Sequence, residues 1–111
     1  MYFGLDLLDM MGAFDMMGTY EERKVDNFRN DLFCVDTVSV TDRELPYETA
    51  ISHKEFNNGD WIILGWRETK DEAQKYHDEI VEKFLNDNGE IKSITDVFDG
   101  IEYYRKKNEE E

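Results

Sequence analysis

Residues 61–66 form a near-continuous apolar run, and this run constrains the fold of the chain more than any other feature. It follows the segment 57–60, whose Asn and Gly residues accept positive φ and predict a tight turn. A short apolar run beside a turn favours a β-strand over a helix. A strand that is apolar on both faces is normally covered on both faces. The sequence therefore predicts a sheet with packing on each side of this strand.

Two further segments have the composition of strands. Residues 22–40 predict a β-hairpin, because Asn30 and Asp31 are turn-forming residues and the segment that follows them is rich in β-branched and aromatic side chains. Residues 47–52 predict a short strand. Pro46, the only proline, ends regular pairing just before it.

Residues 3–17 predict an unusually apolar N-terminal helix. Phe3, Met10, Phe14 and Met17 lie on one face of it at helical spacing. A helix this apolar needs more than one covering surface. One interpretation is a core helix that covers the sheet. The other is a surface for a partner or for self-association, because flexible methionine-rich faces adapt to partners.

The C-terminal part of the chain predicts two helices. Thr69 and Glu72 form a capping box at the start of the first, which Gly89 ends. The second is expected to start near Thr95, with apolar residues on one face. Those residues are Ile94, Val97, Phe98 and Ile101.

Strands grouped before helices indicate an α+β fold with an antiparallel sheet. The expected sheet has about three to four strands and packs with the N-terminal helix and two C-terminal helices. A chain of 111 residues fits one domain, predicted here to span residues 1–104. Residues 105–111 are expected to form a charged, frayed tail.

The charge of the chain is the main guide to its partners. There are 27 Asp and Glu residues against 13 Lys and Arg residues, for a net charge of -14. Small soluble domains typically carry a net charge of roughly 2 to 8 in magnitude. Such a field repels nucleic acid and anionic membranes, and it attracts basic surfaces. We therefore expect no direct binding to nucleic acid or a membrane, and a protein partner with a basic surface.

The sequence also predicts a cytoplasmic location. Cys34 is the only cysteine, so no internal disulfide can form. The N-terminus has no basic region before its apolar stretch, as a signal peptide would. No run of about 18 uncharged apolar residues is present to span a membrane.

Two sets of acidic residues recur at helical spacing. They are Asp71, Asp78 and Glu82 on the first C-terminal helix, and Asp96, Asp99 and Glu102 on the second. One interpretation is a pair of solvated polar faces. The functional interpretation is that the two rows imitate a phosphate backbone, which in duplex DNA carries one charge per roughly 1.7 Å.

No complete catalytic, metal-binding or cofactor-binding motif is present. The segment 86–91 resembles the middle of an EF-hand loop, but Phe84 and Thr95 stand where an acidic ligand and a bidentate glutamate are needed. It is interpreted as a helix C-cap. His53 and His77 show no metal-protease spacing. The sequence therefore predicts a protein that is not an enzyme and holds no metal or cofactor. A small enzyme or metal-dependent hydrolase is an alternative that rests only on His53, His77 and scattered carboxylates.

Several segments of ordinary residues resemble an uncharacterised family of small accessory proteins of bacteriophages that infect Gram-positive bacteria. The similarity covers roughly residues 20–84. It is carried by 20–25, 36–42, 46–51, His53, 58–59, 61–63, 69–73 and His77. The resemblance implies a viral origin and an accessory role in the host cytoplasm, and it transfers no catalytic or binding residue.

These observations predict an acidic accessory protein that binds and inhibits a host protein. The acidic rows would steer the encounter, for example with a basic groove that binds nucleic acid, and the apolar surface would provide desolvated contact. The alternative is a structural or assembly protein of the phage particle. In that case the protein would self-associate through its N-terminal helix as a homo-oligomer.

Overall fold

The computed structural model describes residues 20–40 and 44–106. Within these ranges the chain forms six strands, two α-helices and one 3-10 turn. In chain order they are α1 (Tyr20–Arg23), β1 (Lys24–Arg29), β2 (Phe33–Ser39), β3 (Tyr47–His53), the 3-10 turn (Asn57–Gly59), β4 (Ile62–Arg67), α2 (Lys70–Leu85), β5 (Ser93–Thr95) and β6 (Glu102–Tyr104).

Strands β1 to β4 form an antiparallel sheet in which each strand pairs with the next along the chain. The short turn between β1 and β2 is stabilised by the side chain of Asn30. Its side-chain Oδ1 accepts hydrogen bonds from the backbone N–H groups of Leu32 and Phe33, both at 2.8 Å. This is the behaviour that favours Asn in turns. The predicted hairpin, the strand from Tyr47 and the strand after the 3-10 turn are all present.

Helix α2 packs across one face of the sheet. It begins with the predicted capping box, in which Thr69 Oγ1 accepts from the N–H of Glu72 at 3.2 Å and the Glu72 carboxylate accepts from the N–H of Thr69 at 3.3 Å. A single buried face points to the sheet. The core between helix and sheet contains Phe33, Val35, Ile51, Phe56, Ile62, Ile80, Phe84 and Ile94.

The predicted second C-terminal helix is wrong. Strand β5 pairs instead with β6 in a small antiparallel hairpin. The loop between them is closed by hydrogen bonds from Asp96 N–H to the Ile101 carbonyl at 2.8 Å and from Gly100 N–H to the Asp96 carbonyl at 2.7 Å. Gly100 has a φ of 78°, which no helix accepts. The helical spacing of the apolar residues here is coincidental, and Phe98 is 64 % exposed.

The predicted fold is therefore corrected in its helices. In the described ranges only α2 is longer than a single turn, and it packs on a four-stranded sheet accompanied by a two-stranded one. The expected N-terminal helix, residues 3–17, lies outside the described residues. At the other end, Arg105 is not frayed. Its guanidinium binds the carboxylates of Glu55 and Asp87, and it lies 4.9 Å from the centre of the Phe56 ring.

Candidate functional site

A groove of about 350 Å³ lies between strand β1 and helix α2. We call it the β1–α2 groove. Three consecutive residues of β1 form one wall, and one face of α2 forms the other. The lining residues are Asp26, Asn27, Phe28, His77, Asp78, Val81, Glu82, Leu85 and Asn86.

Three carboxylates border the groove, from Asp26, Asp78 and Glu82. The side-chain amide of Gln74 holds two of them, because its nitrogen donates to Asp26 Oδ2 at 2.8 Å and to Asp78 Oδ1 at 3.0 Å. Burial by itself would raise the pKa of Asp26. Hydrogen bonds from Gln74 and from the N–H of Asn27 outweigh it and hold the pKa of Asp26 below its usual value. Asp26 is therefore negatively charged at neutral pH.

The groove also has apolar walls. Phe28 on β1 and Val81 on α2 are half-buried and pack against the core. Leu85 is 53 % exposed at the end of α2. Carboxylates beside apolar walls match a side chain that has an apolar stem and a cationic head, as lysine and arginine do.

His77 lies beneath the carboxylates and is only 2 % exposed. Its Nδ1 is 2.9 Å from Thr37 Oγ1, which is 2.7 Å from Thr49 Oγ1. Its Nε2 is 3.7 Å from Asp26 Oδ2. Burial lowers the pKa of His77, although nearby carboxylates oppose the shift. The ring is therefore neutral at neutral pH.

A histidine beside a hydroxyl can activate a nucleophile, but this pair is placed unfavourably for such chemistry. Thr37 is fully buried, and its oxygen is already engaged by Thr49. A substrate atom therefore has no access to that oxygen. The buried chain from His77 to Thr49 ties α2 to the sheet, which is a structural role.

His53 lies elsewhere in the core, away from His77. Its ring stacks on Phe33 at 5.8 Å between centroids and meets Phe56 edge-on at 4.9 Å. Its Nδ1 accepts a hydrogen bond from the N–H of Glu55 at 3.0 Å. Burial lowers the pKa of His53. The two histidines are thus both buried, and they do not converge on one site.

The face of the sheet opposite α2 carries a second polar cluster around Asp36. Its Oδ1 accepts from the Tyr20 hydroxyl and from Asn27 Nδ2, the latter at 2.9 Å. Burial raises the pKa of Asp36, although both hydrogen bonds oppose the shift. Burial likewise raises the pKa of Tyr20 and of Cys34. These contacts attach α1 to β2, and a buried thiol with a raised pKa is a poor nucleophile.

The predicted acidic residues separate into two groups. Asp71, Asp78 and Glu82 are exposed on α2 as expected, and the latter two line the β1–α2 groove. The second predicted row does not exist. Asp96 is 7 % exposed, and its carboxylate accepts from the N–H groups of Ile63, Phe98 and Asp99.

The other two members of that row, Asp99 and Glu102, are exposed on the β5–β6 hairpin. Asp99 caps the N–H of Ile101 at 3.0 Å, and Glu102 accepts from the side chains of Ser93 and Tyr104. The predicted contact residues Phe3, Met10, Phe14 and Met17 lie outside the described residues.

The EF-hand-like segment has a different use. Asp87 Oδ1 accepts from the N–H groups of Gly89, Glu90 and Ile91, so this carboxylate caps its own turn. Over residues 20–40 and 44–106, no group of three or more His, Cys, Asp or Glu side chains is placed to hold a metal ion.

Sequence reasoning missed the β1 side of the groove. Asp26, Asn27 and Phe28 carry no local signal beyond strand composition. The sequence shows His77 as one of two histidines, but its place under the carboxylates depends on which face of α2 meets the sheet. The signal that the sequence does contain is the helical spacing of the apolar residues of α2. It predicts the buried face, and Asp78 and Glu82 lie beside that face and not opposite it.

Comparison with known proteins finds no match for this chain among family models, curated proteins or solved structures. In the parts of the chain that the structure describes, no helix is long and apolar enough to cross a membrane.

Proposed function

We propose that this protein acts by binding a basic segment of another protein in the β1–α2 groove, and that it performs no catalysis of its own. The observation that carries the proposal is the convergence of Asp26, Asp78 and Glu82 on one groove with apolar walls. Two separate elements supply these charges, so their meeting is a property of the fold. The exposed Leu85 extends the apolar contact at one end.

The electrostatics of the whole chain support this proposal. A net charge of -14 speeds the approach of a basic partner, and the groove then offers ion pairs beside a surface that can be desolvated. Gln74 holds two of the carboxylates in place before any partner arrives. Preorganisation of this kind lowers the entropic cost of binding.

The effect on the partner follows from the same charges. A basic surface occupied by this protein is closed to nucleic acid, so binding would inhibit a partner that works on DNA or RNA. Imitation of a phosphate backbone by two helical rows is not proposed, because Asp96 is buried. The role as a phage accessory protein in a host rests on the sequence resemblance and stays a prediction.

Matched charge reversals test the proposal. The tagged wild type and two variants would be used to capture proteins from a bacterial lysate at low salt. The groove variant is D78K/E82K. The control is D31K/E90K, which reverses two exposed carboxylates outside the groove and changes the net charge of -14 by the same amount.

We expect the wild type and D31K/E90K to capture the same basic protein, and D78K/E82K to lose it. Capture should weaken as salt is raised, because exposed charges are screened. Equal capture by all three proteins would show that the groove is not the binding site. Equal loss in both variants would assign the binding to net charge alone.

A further inference from the structure

Strand β1 is an edge of the sheet in the described part of the chain. The strand order places β2 on one side of it and no strand on the other. An edge strand presents a row of backbone N–H and C=O groups to which another strand can pair. The β1–α2 groove runs along this edge, since consecutive residues of β1 line it.

Asn27 and Arg29 carry the outward-facing backbone groups. The hairpin is closed by a hydrogen bond from Asn30 N–H to the Phe33 carbonyl at 2.9 Å. Residues along an antiparallel pair alternate between bonding their neighbour and facing away. Since Asn30 bonds β2, the backbone of Phe28, two residues earlier, also bonds β2. The backbone N–H and C=O groups of Asn27 and Arg29 therefore face outward. The N–H of Asn27 confirms this, since it bonds the Asp26 carboxylate at 2.7 Å.

Asn27 links this edge to the groove. Its side-chain amide bonds Asp36 and contacts Cys34 on the opposite face of the sheet from α2. Its side chain is therefore directed away from α2, which leaves its main chain to border the groove. A chain lying in the groove would have backbone groups of β1 on one side and the exposed face of α2 on the other.

We infer that the β1–α2 groove takes an extended segment of the partner, which pairs with the backbone of Asn27 and Arg29 as a fifth strand of the sheet. This inference rests on the proposed function and specifies how the same groove is used. Alternate side chains of an added strand point to the same face. Every second side chain would therefore face α2, where basic groups meet Asp78 and Glu82 and apolar groups meet Val81 and Leu85.

Strand addition uses main-chain hydrogen bonds for affinity and pockets at alternate positions for specificity. In the free protein, Asp26 occupies the N–H of Asn27, so the edge is partly covered by a local bond. Charged groups at an edge also discourage pairing between copies of an acidic protein. A basic segment would replace the bond of that N–H to Asp26 Oδ1, while Gln74 continues to hold Asp26 Oδ2.

The first test uses a synthetic peptide that has threonine at every second position. The positions between the threonines are occupied by lysine and valine in turn. Two control peptides carry the same side chains and have N-methyl groups on alternate residues, one control for each of the two registers. In each control, one edge of the peptide cannot donate hydrogen bonds. Binding would be followed by fluorescence polarisation, and the backbone amide signals of Asn27 and Arg29 by NMR.

We expect the unmethylated peptide to bind and to shift the amide signals of Asn27 and Arg29. Methylation in the register that blocks pairing should weaken binding by about tenfold or more, since each hydrogen bond is worth up to about a factor of ten. Equal binding of all the peptides, lost in D78K/E82K, would overturn strand addition and leave the proposed function standing. No binding of the unmethylated peptide would also overturn strand addition.

The second test changes the protein instead. Arg29→Pro removes an outward N–H without removing a bond to β2, and proline is tolerated at such edge positions. Arg29→Ala removes the same side chain and keeps the N–H. We expect Arg29→Pro to weaken peptide binding by about tenfold relative to Arg29→Ala. Circular dichroism would check that both variants fold, and equal affinity of the two folded variants would refute pairing at Arg29.

Discussion

At the scale of single residues, Asp96 shows how burial changes the role of a carboxylate. Its sequence context suggested an exposed charge on a helix. The fold instead buries it where three backbone N–H groups converge, from β4 and from the loop of the β5–β6 hairpin. One side chain thus joins the small hairpin to the edge of the main sheet.

Replacement of Asp96 by Ala should therefore be costly. Hydrogen bonds to a charged group are worth about 1.5–3 kcal/mol each and do not add fully, so we expect the free energy of unfolding to fall by about 2–4 kcal/mol. Urea denaturation measures this change. The control is Asp99→Ala, which removes one exposed cap and should cost about 1 kcal/mol or less. Similar losses for the two variants would contradict the role assigned to Asp96.

His77 makes the stability of the protein depend on pH. Burial lowers its pKa in the folded state, so below about pH 6.5 the unfolded chain takes up a proton that the folded chain resists. This contribution to stability is present above pH 6.5 and is lost as the pH falls below it. The free energy of unfolding can fall by at most about 1.4 kcal/mol per pH unit for each such group. Burial also lowers the pKa of His53, so its contribution has the same sign.

The variant His77→Asn tests this dependence, because the side-chain amide of Asn occupies the position of the imidazole Nδ1 and can still bond Thr37 but cannot titrate. We expect the free energy of unfolding of the wild type to fall between pH 7 and about pH 5.5, and the slope to be about half as steep in the variant. Urea denaturation at each pH measures both slopes. An unchanged slope would show that His77 does not cause the loss of stability.

At the scale of elements, the β5–β6 hairpin is too short to be stable alone, because a lone two-stranded hairpin is at best marginally stable in water. The side chain of Arg105 anchors the β5–β6 hairpin to the rest of the protein. Its Nε donates to the Ile91 carbonyl at 3.0 Å, and its other nitrogens bind the carboxylates of Glu55 and Asp87. The ring of Phe56 covers the guanidinium.

Loss of Arg105 should loosen this hairpin before it affects the sheet. In Arg105→Ala we expect faster hydrogen exchange at the backbone amides of β5 and β6, with exchange in β2 and β3 much less affected. The exposed neighbour Lys106 provides the control, since its side chain makes no hydrogen bond or ion pair within the described part of the chain. Uniformly faster exchange across all strands would indicate that Arg105 supports the whole fold.

Element prediction from the sequence succeeded where the signal was local. The Thr69 capping box and the turn residue Asn30 use their own side chains to bond nearby backbone, so α2 and the first hairpin begin where expected. It failed at 94–101, where the spacing of apolar residues fits a helix but Gly100 and the Asp96 carboxylate impose a loop. Apolar spacing shows which residues could share a face and not whether a surface is available to cover them.

At the scale of the whole molecule, the net charge of -14 and the carboxylates of the β1–α2 groove both favour a basic partner. The sequence alone determined the excess of acid, the strands of the main sheet and the helix α2. It also placed Asp78 and Glu82 on one side of that helix, because helical spacing depends only on position along the chain.

Only the tertiary structure decided which charges act together. Asp26 bonds Gln74 across 48 positions of sequence, and Gln74 in turn bonds Asp78. The Asp96 carboxylate bonds the backbone of Ile63 across 33 positions. The first contact joins the two walls of the β1–α2 groove, and the second buries a carboxylate that the sequence predicts to be exposed. The physical reason is that packing brings distant groups together and sets their exposure, and neither quantity has a signature in the local order of residues.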